Sequence, residues 1–174
     1  MPRALTAMGI TLELIALSLW LGGLALIGAL VAPTAFGAIL SSPNVVGGAE
    51  AQKALAGEII GGSLRAFNYL AFACGIILLT GALAHRNWRF FARRAGSALL
   101  CLVVTGVQAL YFFPTMDAAQ AAGDMARFDA LHNQYVWLAQ GQLFLLLIFT
   151  ASYAAAITRL SHPRGAARAE AAVE

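Results

Sequence analysis

Charge is what this sequence has least of. Asp, Glu, Lys and Arg make up 11% of its 174 residues, against about a quarter in an ordinary soluble domain. Metal and redox ligands are almost as scarce. The two cysteines, Cys74 and Cys101, belong to no CxxC or Cys/His spacing, which excludes a zinc ribbon and a disulfide framework. The three histidines, His85, His132 and His162, give no pair at one depth for a bis-histidine haem. A set of Met116, Met125 and His132 is the only soft-metal grouping, and it is too sparse to count as a site. Glycine-rich phosphate loops, serine elbows and HExxH motifs are absent. The reading is therefore of a protein that is not an enzyme, with no cofactor and no metal.

What the chain has in abundance is apolar length. Hydrophobic residues make up 60% of it, and mean hydropathy is +0.76. Four runs, at 9–31, 64–84, 95–113 and 135–157, each have the ~20 apolar residues that cross a bilayer core. In lipid every backbone polar group must be satisfied internally, so these runs are helices. The expected fold is an all-α integral membrane four-helix bundle. One domain spans 1–160, short amphipathic helices lie in the two longer connections, and a disordered tail occupies 161–174. Arg3 precedes the first run in the manner of a secretory signal, but Gly9–Val31 is too long for a signal's apolar core of about 7–15 residues. It reads as a retained helix.

Lys and Arg set the orientation. Eight arginines (Arg3, Arg86, Arg89, Arg93, Arg94, Arg159, Arg164 and Arg168) fall on one side of the four spans, and Lys53, Arg65 and Arg127 on the other. Both termini are expected in the cytoplasm, with the protein multi-pass in the plasma or inner membrane. Arginines flanking spans meet anionic headgroups, so the lipid bilayer, and not nucleic acid, is the expected partner. A homo-oligomer or a larger membrane complex is a further expectation.

Proline follows the first and third runs, in Ala32-Pro33-Thr34 and Phe113-Pro114-Thr115. Because proline interrupts the helical ladder, both helices are expected to end there. The match raises a correspondence of spans one and two with spans three and four, as two hairpins in the same orientation. So short a match is equally expected by chance. Beyond the first proline, 37–48 reads as loop, 49–60 as an amphipathic helix and Gly61-Gly62 as a break. Residues 117–134 read as a second polar helix.

Within helix one, Ser18, Gly22, Ala25, Ala29 and Ala32 recur in steps of four and three, so they share a face. Small residues allow close helix approach in lipid, and this face is expected to be the central packing seam. Trp20 lies off it. Glu13 is expected to reach the cytoplasmic interface or to pair with Arg93, Arg94 or Arg159, with a proton or cation site as the alternative. Arg65, Asn68, Gln108, His132 and Gln140 all fall near the opposite membrane face. They are the candidate lining of an outward-facing polar pocket, the alternative being plain interhelical hydrogen bonds.

Trp20-Leu21-Gly22-Gly23, Ala32-Pro33-Thr34-Ala35-Phe36 and Phe128-Asp129-Ala130-Leu131-His132 together resemble motifs of the transmembrane-protein-205-like family of small four-helix membrane proteins. That resemblance implies four spans with the long connections outside and no enzyme activity. In eukaryotic relatives it implies an association with tolerance to platinum compounds. The functional expectation is membrane transport or stress tolerance through the outward pocket. The alternatives are an accessory or assembly subunit of a larger complex, and a quinone- or haem-binding redox subunit.

Overall fold

The computed structural model describes residues 3–42, 48–85 and 90–160. The Arg86–Arg89 part of the basic connection and the tail from 161 lie outside them. Helix α1 (Arg3–Leu26) passes through a π-helical turn, π1 (Ile27–Val31), into α2 (Ala32–Leu40). Helix α3 (Gly48–Ala84) returns. Helix α4 (Phe91–Val107) passes through π2 (Gln108–Phe112) into α5 (Phe113–Ala121), and α6 (Met125–Leu160) returns. Four stretches, Ala7–Leu40, Leu55–Ala84, Phe91–Ala121 and Met125–Thr158, are long and apolar enough to cross a membrane. The protein is a multi-pass helical membrane protein. Exposed Leu99, Val103, Leu110 and Trp137 are then the surface that lipid solvates.

Neither proline ends its helix, contrary to expectation. The Ala32 N–H donates to the Ile27 carbonyl, and the Phe113 N–H to the Gln108 carbonyl. Each bond reaches back five residues instead of four, and the widened turn makes room for the ring at the start of the following helix. The hydroxyls next to the prolines bond back one turn, Thr34 to the Leu30 carbonyl at 2.7 Å and Thr115 to the Tyr111 carbonyl at 2.6 Å. Gly61-Gly62 does not break α3 either. The helices expected in the connections are present as extensions of the spans. Only Ala122–Asp124 interrupts the second, where the Asp124 carboxylate accepts from the Arg127 N–H at 3.0 Å and caps α6.

The two hairpins are copies of one plan. Each has a span, a π-turn, a proline-led helix of nine residues and a long return helix. Counting back from the two π-turns, Glu13 and Arg94 occupy the same place. The buried positions of α3 match those of α6 at one constant shift: Ala56 with Leu131, Ile60 with Tyr135, Phe67 with Gln142, Ala71 with Leu146, Cys74 with Phe149, and Leu78 with Tyr153. The hairpins run in the same direction, so their relation is that of parallel repeats. Around the bundle, α1 packs on α3, α3 on α4 and α4 on α6, and α6 closes back on α1 over a shorter contact.

The core joins Ala16, Leu17 and Trp20 of α1 to Phe67, Ala71, Cys74 and Leu78 of α3, Ala98 and Cys101 of α4, and Leu146, Phe149 and Tyr153 of α6. The small-residue stripe is therefore not the seam. Ser18, Gly22, Ala25 and Ala29 are exposed and Ala32 is half-buried. The packed face of α1 is the one carrying Glu13, Leu17 and Trp20. Bulk and polarity won because lipid solvates small apolar residues as well as a neighbouring helix does, whereas a carboxylate and an indole need protein around them. Where Trp20 enters, α3 supplies Gly75. A Cβ there would lie 2.5 Å from the Leu102 side chain and 2.9 Å from the Trp20 ring. Gly75→Val should cost about 1–3 kcal/mol by overpacking, read as a lowered unfolding temperature in detergent. An unchanged temperature would refute this packing.

Candidate functional site

Polar side chains collect at two levels. The first lies near the end of the bundle that holds Arg3 and His85. Glu13 is 2% exposed and Arg94 0%. The Arg94 guanidinium donates to Glu13 Oε2 at 2.8 Å, and His85 Nδ1 stands 3.2 Å from Glu13 Oε1. Gly81 makes the approach possible, since a Cβ would sit 2.2 Å from Glu13 Oε1. Tyr153 and Phe149 flank Arg94, with their ring centres 4.7 and 5.7 Å from its guanidinium carbon. The Tyr153 hydroxyl donates to the Ile10 carbonyl at 3.3 Å. Each of the four spans thus contributes to one buried cluster. The carboxylate makes the pairing expected of it with Arg94 and adds His85. Removing one partner of a buried pair leaves an uncompensated charge and typically costs about 3–5 kcal/mol, while replacing both is far milder. Glu13→Gln and Arg94→Met should each lower the unfolding temperature sharply, and the double variant should recover most of the loss. Additive losses would show that the two groups do not act as a pair.

A second level lies towards the other end. Here Arg65, Asn68, Tyr69, Phe72, Ala73 and Ile76 of α3 face Thr105, Gly106, Ala109, Leu110, Phe113, Pro114 and Asp117 of the opposite span across a groove of about 580 Å³. The groove lies between the two repeats and takes in the π2 turn with its proline. At its end Arg65 donates to Asp117, with half of each side chain exposed, and the Arg65 guanidinium lies over the Phe113 ring at 5.6 Å. Asn68 follows one turn deeper. It is 6% exposed, and its amide nitrogen has no hydrogen-bond partner among the described residues. Below it the lining is almost wholly apolar, because the Thr105 hydroxyl already donates to the Cys101 carbonyl at 2.9 Å and accepts from Gln142 at 2.7 Å.

The structure brings together Arg65 and Asn68 of the five residues singled out from the sequence. Gln108 is near but buried, at 1% exposure, with an amide nitrogen that also lacks a partner. His132 and Gln140 are exposed and lie outside the groove. His132 stacks on Phe128, with ring centres 6.1 Å apart. Met116 is buried among Phe112, Phe113, Leu131 and Tyr135, while Met125 is exposed, so these two and His132 do not gather. Among the described residues no group of three or more His, Cys, Asp or Glu side chains is placed to hold a metal. Asp117 and Gln142 escaped the sequence reading. Asp117 was hidden by the assumption that the helix stops at Pro114. Gln142 was legible, because it shares the apolar face that carries Tyr135, Leu146, Phe149 and Tyr153 two helical turns beyond Tyr135.

A family model described as a domain of unknown function, DUF4149, matches residues 15–124. The chain belongs to that family. Neither the curated proteins nor the solved structures contain a match to it. The matched segment holds both walls of the groove and both prolines.

Proposed function

We propose that this DUF4149 protein is a non-enzymatic membrane protein that takes a membrane amphiphile into the groove between α3 and the α4–α5 span. The observation that carries this reading is the groove's polarity gradient. A charged pair stands at one end, an unpaired buried amide lies one turn below, and apolar residues line the rest. From Arg65 to Ile76 the groove runs about 16 Å at ~1.5 Å per residue, which is half the ~30 Å hydrocarbon core. The Arg65–Asp117 pair accordingly stands at one hydrocarbon boundary, with Ala84 at the other. A molecule with a polar head and an apolar tail fits such a slot, whereas a free polar solute or cation would leave most of the wall unmatched. Among the described residues no histidine, methionine or cysteine lines the groove, so the commonest axial ligands of haem iron are not found there. Binding sites at the interface between repeats are characteristic of transporters. That is the support for a role in moving or sequestering such a molecule. The kinship with transmembrane-protein-205-like proteins rests on the Trp20–Gly23, Ala32–Phe36 and Phe128–His132 motifs.

A photoreactive fatty-acyl probe should label residues 65–76 and 105–117 of the protein in membranes. Ala73→Trp or Ala109→Trp, which fill the groove, should abolish that labelling while leaving the unfolding temperature near its wild-type value. Labelling spread evenly over other exposed faces, such as those of Leu99 and Trp137, would remove the reading.

The orientation proposed places the termini in the cytoplasm and the Arg65–Asp117 end outside. The support is the excess of arginine at the terminal end, where anionic lipid attracts each residue by about 1 kcal/mol. A cysteine at Ser42 should react with an impermeant thiol reagent on sealed cells. Reaction only after permeabilisation would reverse the assignment.

A further inference from the structure

The groove carries more information than a preference for amphiphiles, because its polar groups stand at separate depths. The inference that follows rests on the groove reading above and names the ligand class. The mouth presents a cation and an anion side by side, Arg65 and Asp117, each with about half of its side-chain surface exposed, at 49% and 51%. A purely anionic head would face Asp117 at close range and be repelled by it. A neutral head would add nothing to the half-exposed Arg65–Asp117 pair, which answers only itself. A head carrying a negative and a positive group satisfies both, and the guanidinium is suited to phosphate oxygens.

Asn68 fixes a second requirement. It lies three residues deeper on α3 than Arg65, about 4.5 Å along the axis, and its amide N–H group points to no protein acceptor among the described residues. A buried amide donor of this kind costs free energy until it is bonded. The ligand must therefore bring an acceptor, such as a carbonyl oxygen, about one helical turn below its charged head. Deeper still, Phe72, Ala73, Ile76, Ala109 and Leu110 offer only apolar contact, to the middle of the bilayer. Phosphate and ammonium, then an ester carbonyl, then an acyl chain is the order of groups in a glycerophospholipid.

We propose that the groove is a binding site for a zwitterionic glycerophospholipid with a primary ammonium head, of the phosphatidylethanolamine type. Arg65 holds the phosphate, Asp117 accepts from the ammonium, and the Asn68 amide donates to an ester carbonyl. The ammonium must be able to donate hydrogen bonds. A quaternary trimethylammonium head has the right charge but no N–H to give to Asp117, so phosphatidylcholine should bind more weakly.

The test uses the full chain, purified in detergent, stripped of lipid and reloaded from an equimolar mixture of phosphatidylethanolamine, phosphatidylcholine, phosphatidylglycerol and a long-chain quinone. Retained ligand is counted by native mass spectrometry. The expected result is one phosphatidylethanolamine per chain, in about tenfold preference to each competitor, the scale of one hydrogen bond to a charged group. Asp117→Asn should erase the preference over phosphatidylcholine. Asn68→Leu should lower retention of phosphatidylethanolamine about tenfold. Should a variant fail to fold, the wild-type preference decides alone. Preferential retention of phosphatidylglycerol or quinone, lost in Ala73→Trp, would overturn the headgroup assignment and leave the groove reading standing. Equal retention of all four, unaffected by Ala73→Trp, means annular lipid only, and overturns both.

Discussion

A carboxylate and a guanidinium buried against each other inside an apolar bundle constrain everything else in this protein. Either group alone would be very costly in hydrocarbon. Their pairing fixes how α1 stands relative to α4, because Glu13 Oε2 and the Arg94 guanidinium meet at 2.8 Å. Such a constraint matters more in lipid than in water. Apolar helices gain little from leaving lipid for one another, so an apolar bundle is weakly specified in register and rotation. The ion pair and its aromatic, glycine and histidine surroundings supply that specification. Every span has a stake in it: Glu13 from the first, Gly81 and His85 from the second, Arg94 from the third, and Phe149 and Tyr153 from the fourth.

The two charges also occupy the same place in the two hairpins. In a pair of identical hairpins this place would hold like charges, and two buried carboxylates or two buried guanidiniums would drive the halves apart. Opposite signs turn this shared place into an attachment between the repeats. The same divergence accounts for the groove. At the shift that matches α3 to α6, Arg65 corresponds to Gln140 and Asn68 to Leu143. On the facing span, Phe113 and Asp117 correspond to Ala32 and Phe36. One face between repeats therefore carries a charged mouth and a buried amide, and its counterpart carries no charge at those four positions.

The sequence already displayed the four spans, offered Arg94 among three partners for Glu13 and raised the correspondence of the two hairpins on a match no better than chance, because all three depend on one-dimensional patterns of charge, length and spacing. It misled at the prolines, where a rule from water was applied to lipid, and over which face of a helix packs inward. Pro33 and Pro114 would end helices in a soluble protein, where freed carbonyls can turn to water. Here the chain keeps its ladder through a five-residue turn, and Asp117 is carried into the groove as a result. The Ser18–Ala32 stripe had the spacing of a seam, but the larger Leu17 and Trp20 on another face of the helix took the core. Gln140 had the right depth and the wrong face. Depth along a helix is fixed by counting residues, whereas azimuth depends on which neighbours pack, and that was not written in any single segment. Gln142, two residues on, faces inward and joins the third and fourth spans through Thr105 and the Cys101 carbonyl, at 2.7 and 3.3 Å.

The two polar levels differ in how their groups are held. At the first the Glu13 carboxylate meets Arg94 and His85, and all four spans take part. Asn68 is held differently. Its buried amide has no acceptor among the described residues, in a medium that offers no water to replace one, and it stands beside the groove between α3 and the α4–α5 span. A bundle selected for stability alone would gain by replacing Asn68 with leucine, as its counterpart Leu143 illustrates. Retaining the amide makes physical sense if the missing acceptor arrives from the bilayer, and the Arg65–Asp117 pair one turn above then stands where the polar part of the arriving molecule must come to rest.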